Sequence, residues 1–324
     1  MRCKTRPQVQ RYLEAINCIT IIGPTASGKT RLAAAAAFAL HTDVISLDSR
    51  QVYRGMNIGT GKDLQDYTVN GKQVPVHLID IAEPGTTYHL HQFIHDFNTV
   101  FKKLTEQHKL PVLCGGTALY LHTLLREYQF TSVPVNESLR NELESKSKEE
   151  LLHIFRQLPA TAYTSLADTS TAKRLIRAIE ICSWLLHHSL PQNNYPKVLP
   201  LCFGMALTAE QRKKNITERL RFRLQNGLIE ETETLLASGI EAAQLIRYGL
   251  EYKFVTEFLQ GKYSYTQLQE LLTIAIQQYS RRQMTWWRKM EREGLHIHWM
   301  DANLPVSEQL QMLLHELSLH PQLK

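Results

Sequence analysis

An eight-residue segment near the N-terminus, GPTASGKT, has the composition and spacing of a phosphate-binding loop. It lies between an apolar run and an alanine-rich run, as a loop between a strand and a helix would. Glycines permit backbone angles at which successive N–H groups converge on phosphate oxygens, and the following helix adds positive potential. We therefore expect the segment to bind a phosphate chain through Gly23, Pro24, Thr25, Ala26, Ser27, Gly28, Lys29 and Thr30.

The loop does not identify the molecule that carries the phosphates. Lys29 can reach a terminal phosphate, and the Thr30 hydroxyl can ligate Mg²⁺. An NTPase would also need an aspartate after a later strand to help hold that ion. Asp80 follows an apolar run and is a candidate, whereas the run that ends at Gly115 is followed by no acid. A nucleotide and another diphosphate both remain open as ligands at this point.

Asp48 ends a second apolar run, DVISL, and the polar side chains Ser49, Arg50 and Gln51 follow it. In doubly wound sheets this end of a strand faces the ligand crevice beside the phosphate loop. Three roles are open to Asp48: a base for an acceptor molecule, a metal ligand, or the cap of a following helix. The polar side chains after it favour a binding role.

Strand-like and helix-like segments alternate along the chain, which predicts an α/β fold: a P-loop NTPase-like parallel sheet flanked by helices. The predicted strands are residues 18–22, 43–47, 74–81, 110–115 and 199–207, with 295–300 as a sixth candidate. The predicted helices are 28–40, 90–108 and 117–128, followed later by 211–237, 241–260 with a break at Gly249, and 264–293.

The alternation stops between about 131 and 198, where the chain is polar and helical, and the strand pattern resumes at Leu199. A helical insertion into one α/β core explains this better than a second domain in series. We therefore predict a core made of residues 1–130 and 199–324, interrupted by a helical insertion at 131–198.

The net charge of +6 over 324 residues is mild and spread along the chain, so bulk charge does not indicate a nucleic-acid partner. Two local runs do carry more charge: residues 212–223 hold six basic side chains, and 281–292 hold five around Trp286 and Trp287. These runs fit a polyanion partner, with solvated helix faces as the alternative. The tryptophan pair itself is more typical of core packing.

The five cysteines lie far apart and form no Cys-x-x-Cys motif, which favours reduced thiols over a disulfide or metal site. The histidines show no metal-ligand spacing. No apolar run reaches the roughly 18 residues that a membrane span needs. The charged N-terminal segment lacks the apolar centre of a secretory signal, so we expect a cytoplasmic protein.

Seven motifs, taken together and in this order, give the chain a resemblance to the tRNA dimethylallyltransferases, or isopentenyl-tRNA transferases. The resemblance covers roughly residues 18–300, and the ordered set is far more specific than its single members. The motifs are GPTASGKT, DSRQVYRGMNIGTGK, HLID, GGTALYLHTLL, RLIRAIEI, GLIEETETLL and RRQMTWWR. The sixth motif is also an ordinary amphipathic helix, for which we expect a structural role.

The resemblance implies transfer of a dimethylallyl group from dimethylallyl diphosphate to the exocyclic N6 of the adenine immediately 3′ of a tRNA anticodon. The family favours tRNAs that read codons beginning with U. Asp48 matches the family's general base, and Thr25 matches a threonine that hydrogen-bonds near the bridging oxygen. The loop amides, Lys29 and a Mg²⁺ on Thr30 would stabilise the leaving diphosphate.

The same resemblance implies that the insertion clamps the anticodon stem and that the target base is flipped out of its stack. The implied tRNA contacts are Asp48, Ser49, Arg50, Gln51, Thr117, Arg140, Lys173, Arg174 and Arg177. For Arg174 and Arg177, an exposed helix face paired with Glu180 is the alternative. We expect a monomer.

Three stretches depart from the family pattern. GTGKD at 59–63 stands where the family commonly has Gly-Thr-Ala-Lys-Pro, and YGLEYK at 248–253 has a displaced tyrosine. Gln277 occupies a position where the family often has a diphosphate-binding arginine, and Arg281, one turn later, is the predicted substitute. Two alternatives therefore stay open: a tRNA-binding paralogue without catalysis, and a small-molecule P-loop kinase that uses ATP.

Overall fold

The computed structural model describes residues 16–126, 129–190 and 195–320 of the chain. The chain divides into two compact units, a core unit of residues 1–125 and 196–324 and an insertion unit of residues 126–195. The insertion predicted at 131–198 covers nearly the same part of the chain.

The core unit is built on a six-stranded sheet in the order β5-β2-β6-β1-β7-β8, in which every pair of neighbours is parallel. This confirms the predicted α/β class. Two further strands, β3 and β4, form a separate antiparallel hairpin. The strands are β1 (Cys18–Ile22), β2 (Val44–Ser46), β3 (Thr68–Val69), β4 (Lys72–Gln73), β5 (Val76–His77), β6 (Val112–Gly115), β7 (Pro200–Ala206) and β8 (Ile297–Asp301).

Helices cover the sheet and also make up the insertion unit. Helices of the first part of the chain are α1 (Lys29–Ala39), α2 (Leu90–Glu106) and α3 (Ala118–Arg126). The insertion unit holds α4 (Glu137–Glu144), α5 (Lys148–Gln157) and α6 (Ala172–Leu185). The chain then continues with α7 (Ala209–Gln225), α8 (Leu228–Ala237), α9 (Ala242–Leu245), α10 (Leu250–Leu259), α11 (Tyr265–Arg292) and α12 (Val306–Ser318).

The central strand β1 is buried on both faces, as its uninterrupted apolar sequence predicts for a parallel sheet. Cys18 and Ile22 belong to one core cluster, whereas Ile19 and Ile21 belong to the cluster on the other face. Four alanines of α1, namely Ala33, Ala34, Ala36 and Ala37, are fully buried in that second cluster. Because alanine side chains are small, the helix that follows the phosphate loop lies close against the sheet.

Two predicted elements differ from those observed. The strand predicted at 74–81 is only two residues long, because Leu78 and Asp80 adopt left-handed backbone conformations that end it. The helix predicted at 211–237 is two helices, α7 and α8, separated at Gly227, whose φ is 105°.

The buried residues bear out two predictions about side chains. Cys18, Cys114, Cys182 and Cys202 are buried free thiols, while Cys3 lies outside the described residues. Trp287 is 1% exposed in the core beneath α11, and Trp286 packs against the same cluster, so the core-packing interpretation is confirmed. Of the helices within the described ranges, none combines the length and the apolar character that crossing a membrane requires.

The insertion unit is organised around one buried carboxylate. Glu180 of α6 is 2% exposed and accepts hydrogen bonds from the Asn136 N–H, from two guanidinium nitrogens of Arg140 and from Arg177. Burial alone would raise the pKa of Glu180, but these hydrogen bonds outweigh burial and hold the pKa below its ordinary value. The carboxylate therefore ties α4 and α6 together in its ionised form.

The substitution Glu180→Gln removes this charge at constant shape, and we expect it to lower the free energy of unfolding by about 2–3 kcal/mol. Urea denaturation at pH 7 measures the loss, with Glu144→Gln on the exposed face of α4 as the matched control. Because the pKa of Glu180 is lowered, its contribution is complete above the ordinary carboxyl pKa of about 4.3 and disappears as the pH falls through the lowered value. Equal losses in the two variants would contradict this role.

Candidate active site

The GPTASGKT segment forms the turn between β1 and α1, and its glycines adopt the conformations that the motif requires. Gly23 has φ 151°, and a Cβ there would lie 3.0 Å from the Met205 Cβ. Gly28 has φ 77° and caps α1 with no side-chain hydrogen bond, which leaves the helix N-terminus available to a ligand. Ser27 closes the turn from inside by donating from its Oγ to the Pro24 carbonyl at 2.9 Å.

Lys29 is the first residue of α1 and points back over the loop, where its Nζ donates to the Pro24 carbonyl at 2.6 Å. Burial lowers the pKa of Lys29 to about 8, the charge of Arg219 acts in the same direction, and Asp48 opposes both. A bound phosphate would compensate the ammonium charge that burial disfavours.

Asp48 follows β2 and turns its carboxylate back onto its own loop. Its Oδ1 accepts the Arg50 N–H at 2.9 Å, and no helix begins there, so the helix-cap interpretation is wrong. Burial raises the pKa of Asp48, while the Arg50 N–H and the Lys29 charge lower it in part. A carboxylate with a raised pKa is a stronger base than an ordinary one, provided that it is ionised.

Two consecutive glycines let the ends of β2 and β6 come together beside Asp48. A Cβ on Gly115 would lie 2.3 Å from the Leu47 carbonyl oxygen, so a side chain there is excluded. The next residues complete the contact, since the Thr117 N–H donates to that same oxygen and the Thr117 Oγ1 accepts the Ser49 N–H at 3.1 Å. Thr117 thus holds the loop that carries Asp48.

Gln51 is held on two sides within the cavity wall. Its Nε2 donates to the Gly61 carbonyl at 3.0 Å, and its Oε1 accepts from the Ser46 hydroxyl. The loop that provides the Gly61 carbonyl is clamped in turn by Glu231 of α8, whose carboxylate accepts three consecutive backbone N–H groups at 2.8–2.9 Å, from Asn57, Ile58 and Gly59.

Two arginines one turn apart on α7 contact the site from the other side. Arg219 donates to the Thr25 hydroxyl, and burial, followed by the charge of Arg223, lowers the pKa of Arg219 to about 10. Arg223 is 6% exposed and donates to both carboxylate oxygens of Asp63 at 3.0 Å. The site therefore contains one buried guanidinium group, of Arg223, and one half-buried group, of Arg219.

The phosphate loop, the turn that carries Asp48 and the two arginines of α7 line one cavity of about 890 Å³ within the core unit. Of the predicted site residues, it is lined by residues 25–30 of the loop and by 48–51; Gly23, Pro24 and Thr117 are not among its lining residues. The lining carries eight basic and five acidic side chains, so the protein alone leaves an excess of positive charge. They are Lys29, Arg31, Arg50, Arg219, Arg223, Arg247, Lys253 and Arg282, with Asp48, Asp63, Asp66, Glu218 and Glu251.

Arg281 is not among the cavity-lining residues. The side of α11 that reaches the cavity contributes Ile276, Tyr279, Arg282 and Gln283, and Arg281 instead lies close enough to Arg212 for its charge to lower the pKa of that arginine. The cation that touches the loop threonine is Arg219, from a different helix.

The residues that could hold a magnesium ion are few. Thr30 lines the cavity at the start of α1, but Asp80 does not, since its carboxylate pairs with the buried Lys62. Among the described residues, no group of three or more histidine, cysteine or acidic side chains could hold a metal ion. A hydroxyl with few protein ligands suits Mg²⁺ only when a phosphate chain and water complete its coordination.

The predicted tRNA contacts of the insertion fall into two classes. Arg140 and Arg177 form ion pairs with the buried Glu180, so Arg177 has the expected pairing but does not lie on an exposed helix face. Lys173 is exposed, and Arg174 is exposed beside Asp168 at 2.9 Å rather than Glu180. These two retain side chains that a polyanion can reach.

Arg219, Arg223 and Glu231 were not predicted as site residues. The basic run at 212–223 contained the two arginines at a helical spacing of four, which is the only signal that marked them. Glu231 lay in a motif to which we assigned a structural role. Its partners are about 170 residues away in the chain, and no sequence pattern joins them.

Comparison with known proteins places this site in a family. The IPP transferase model matches residues 51–290, and an isopentenyl transferase model matches residues 16–75. A tRNA dimethylallyltransferase 2 of Bacteroides fragilis is 48% identical over 92% of this chain and 97% of its own length. A tRNA dimethylallyltransferase 1 of Parabacteroides distasonis is 47% identical over 92% of this chain and 96% of its own.

Solved structures agree with the sequence comparison. A tRNA isopentenylpyrophosphate transferase of Bacillus halodurans is 27% identical, with a TM-score of 0.68 over 95% of this chain and 96% of its own. A eukaryotic dimethylallyltransferase acting on tRNA shares the fold, with a TM-score of 0.72 at 22% identity, over 89% of this chain and 74% of its own. With a phosphate loop and a half-buried aspartate facing one basic cavity, and with relatives of this similarity over nearly its whole length, the chain belongs to the IPP transferase family.

Proposed function

We propose that the chain transfers the dimethylallyl group of dimethylallyl diphosphate to N6 of the adenine 3′-adjacent to the anticodon of tRNAs that read codons beginning with U. One observation carries the proposal: a phosphate-binding loop and the half-buried carboxylate of Asp48 line the same cavity. The named relatives support the choice of tRNA and of the dimethylallyl group.

The donor half of the reaction needs a stabilised leaving group. The bond between the allylic carbon and the bridging oxygen breaks, and the electron pair stays on the diphosphate. Loop N–H groups, Lys29 and Arg219 are placed to take up that charge, in surroundings where burial strengthens each interaction. Thr25, which accepts a hydrogen bond from Arg219, is the loop hydroxyl that faces the bridging oxygen in this proposal.

The acceptor half needs a base, because the lone pair of an adenine amino group is delocalised into the ring. As N6 bonds to the allylic carbon, Asp48 takes one of the two N6 protons. The alkylated amino group is therefore neutral in the product. An adenine that is stacked in an anticodon loop cannot reach Asp48 at the wall of this cavity, so in this proposal it is flipped out of the stack. Ser49, Arg50 and Gln51 line the cavity beside Asp48 and are the proposed contacts for that base.

We propose Mg²⁺ as the metal, held by the Thr30 hydroxyl and the diphosphate oxygens. When bound, it supplies a Lewis-acid charge to the leaving group.

In the insertion unit we assign the tRNA phosphate contacts to the exposed Lys173 and Arg174, with Arg140 and Arg177 as more rigid neighbours anchored by Glu180. We further propose that the enzyme acts as a monomer in the cytoplasm.

One experiment tests the function against its alternatives. Purified protein is incubated with Mg²⁺, unmodified tRNA and either dimethylallyl diphosphate or ATP, and the nucleosides are analysed by mass spectrometry. Prenylated adenosine is the expected product. ATP hydrolysis without prenylation would indicate a kinase, and salt-sensitive tRNA binding without product would indicate an inactive paralogue.

Asp48→Asn removes the proposed base while keeping the shape of the side chain. We expect kcat to fall on the order of 10²- to 10⁴-fold, with little change in the KM of either substrate. Glu270→Gln, on the exposed surface of α11, is the control. Retention of more than half of the wild-type kcat in Asp48→Asn would eliminate Asp48 as the base.

The pH dependence of kcat/KM for the donor follows from two groups with opposite requirements. Asp48 reacts as a carboxylate, so activity is lost as the pH falls through its pKa, which burial raises above the ordinary value of about 3.9. Lys29 binds phosphate as an ammonium, so activity is also lost as the pH rises through its pKa of about 8.

The alkaline limb provides an internal control. The bound diphosphate should raise the pKa of Lys29, so this limb moves to higher pH in the profile of kcat than in that of kcat/KM. Stopped assays from pH 5 to pH 10 measure both profiles. An alkaline limb at the same pH in both profiles would argue against Lys29 as a phosphate ligand.

Arg219→Gln tests the guanidinium that touches Thr25. We expect kcat/KM for the diphosphate to fall roughly 10- to 100-fold, while the KM for tRNA changes little, since a charge-assisted hydrogen bond is lost only on the donor side. The matched control is Arg221→Gln, which removes an exposed arginine from the same helix, and we expect it to leave kcat/KM for the diphosphate unchanged. Equal effects of the two substitutions would exclude a specific donor contact.

A further inference from the structure

The side-chain amide of Gln283 joins two loops that the sheet itself does not connect. Its Oε1 accepts the Thr25 N–H at 3.0 Å, and its Nε2 donates to the Gly116 carbonyl at 2.9 Å. The side chain is 6% exposed in the middle of α11 and lines the cavity. One amide thus uses a donor and an acceptor on opposite sides of the site.

These bonds lie just beyond the end of a strand pairing. β1 and β6 pair in parallel up to Ile22 and Gly115, after which their chains separate into the phosphate loop and the GGT turn. Gln283 bridges that separation from a third element. Space for it exists because residue 116 is a glycine, where a Cβ would lie 2.6 Å from the Gln283 Nε2.

The contact continues to the loop that carries Asp48. Thr117 follows Gly116 directly, and its Oγ1 accepts the Ser49 N–H at 3.1 Å. Hydrogen bonds and adjacent backbone therefore link Thr25 through Gln283, Gly116 and Thr117 to Ser49, the neighbour of Asp48. This path joins the ends of β1, β6 and β2.

We propose that Gln283 is a positioning residue that sets the geometry between the leaving diphosphate and the base. The inference rests on the proposed function, because it assigns Thr25 to the donor and Asp48 to the acceptor. Gln283 touches neither reacting atom. It acts by keeping Thr25 and Asp48 at the separation that an in-line displacement requires, for which small displacements are costly.

The test substitutes Gln283→Met, which keeps length and burial but removes both hydrogen bonds. We expect kcat to fall on the order of 10- to 100-fold, with the KM of donor and tRNA changed less than about threefold. The acid limb of the kcat profile stays in place, since the residues that shift the pKa of Asp48, namely Lys29, Arg50 and Gln51, are not substituted. Gln278→Met, an exposed glutamine on the same helix, is the control. Unchanged kcat in Gln283→Met would overturn the proposal.

A double-mutant cycle separates a shared path from general destabilisation. Thr117→Val removes the Oγ1 that accepts from Ser49 at the far end of the path. If both residues act through one path, the double variant has a kcat close to that of the worse single variant, because residues in one hydrogen-bonded network are not additive. Additive losses of kcat would overturn the proposal.

Hydrogen exchange gives a readout that does not depend on the reaction. In Gln283→Met, amide exchange should increase in peptides covering residues 23–30 and 47–51, and it should not increase in Gln278→Met. Unchanged exchange in both peptides would overturn the proposal even if kcat falls. Absence of prenylated product with the wild-type enzyme would overturn the proposed function alone, and the exchange result would still decide whether Gln283 couples the two loops.

Discussion

Desolvated charges of both signs, held apart in one cavity, are the constraint on which the rest of the site depends. Burial lowers the pKa of Lys29 and Arg219 and raises the pKa of Asp48 and Glu251. Within the part of the chain that the structure describes, none of these four forms an ion pair with another. Half-buried charges without an opposite charge as partner are unfavourable, and clusters of them in a cavity are typical of ligand-binding sites. In the proposed reaction, the diphosphate supplies the missing negative charge beside the cations.

Two of the stretches that depart from the family pattern, GTGKD and YGLEYK, make specific contacts in the wall of the site. In GTGKD, Asp63 accepts both hydrogen bonds of the buried Arg223, and a Cβ on Gly61 would lie 2.7 Å from that same guanidinium. In YGLEYK, Tyr252 donates to the Glu231 carboxylate that clamps the loop before Gly61. The two departures from the family pattern are thus parts of one packed wall beside the cavity. This weakens the argument for an inactive paralogue.

The predictable part of the structure is the part encoded locally. Three segments could be predicted because backbone conformation and strand ends depend on neighbouring residues. They are GPTASGKT, the run that ends at Asp48, and the two glycines of GGT. The β3–β4 hairpin was missed although Asn70 and Gly71, both with positive φ, carry an ordinary turn signal. Contacts of Arg219, Glu231 and Gln283 span about 170 to 260 residues, and periodicity contains no information about them. Arg281 was predicted from local helical spacing, and it is not among the residues that line the cavity.

The point of insertion explains how one chain combines a rigid reaction site with a separate helical unit. The chain leaves the core after α3, which follows β6, and returns at β7; these two strands flank β1 in the sheet and pair with it directly. The insertion therefore interrupts the chain without interrupting the strands whose ends carry the phosphate loop and the GGT turn. Its own core is closed by Glu180 and its partners. Residues of the insertion unit that we propose to contact tRNA can then change while the spacing between Thr25 and Asp48, set entirely within the core unit, is preserved.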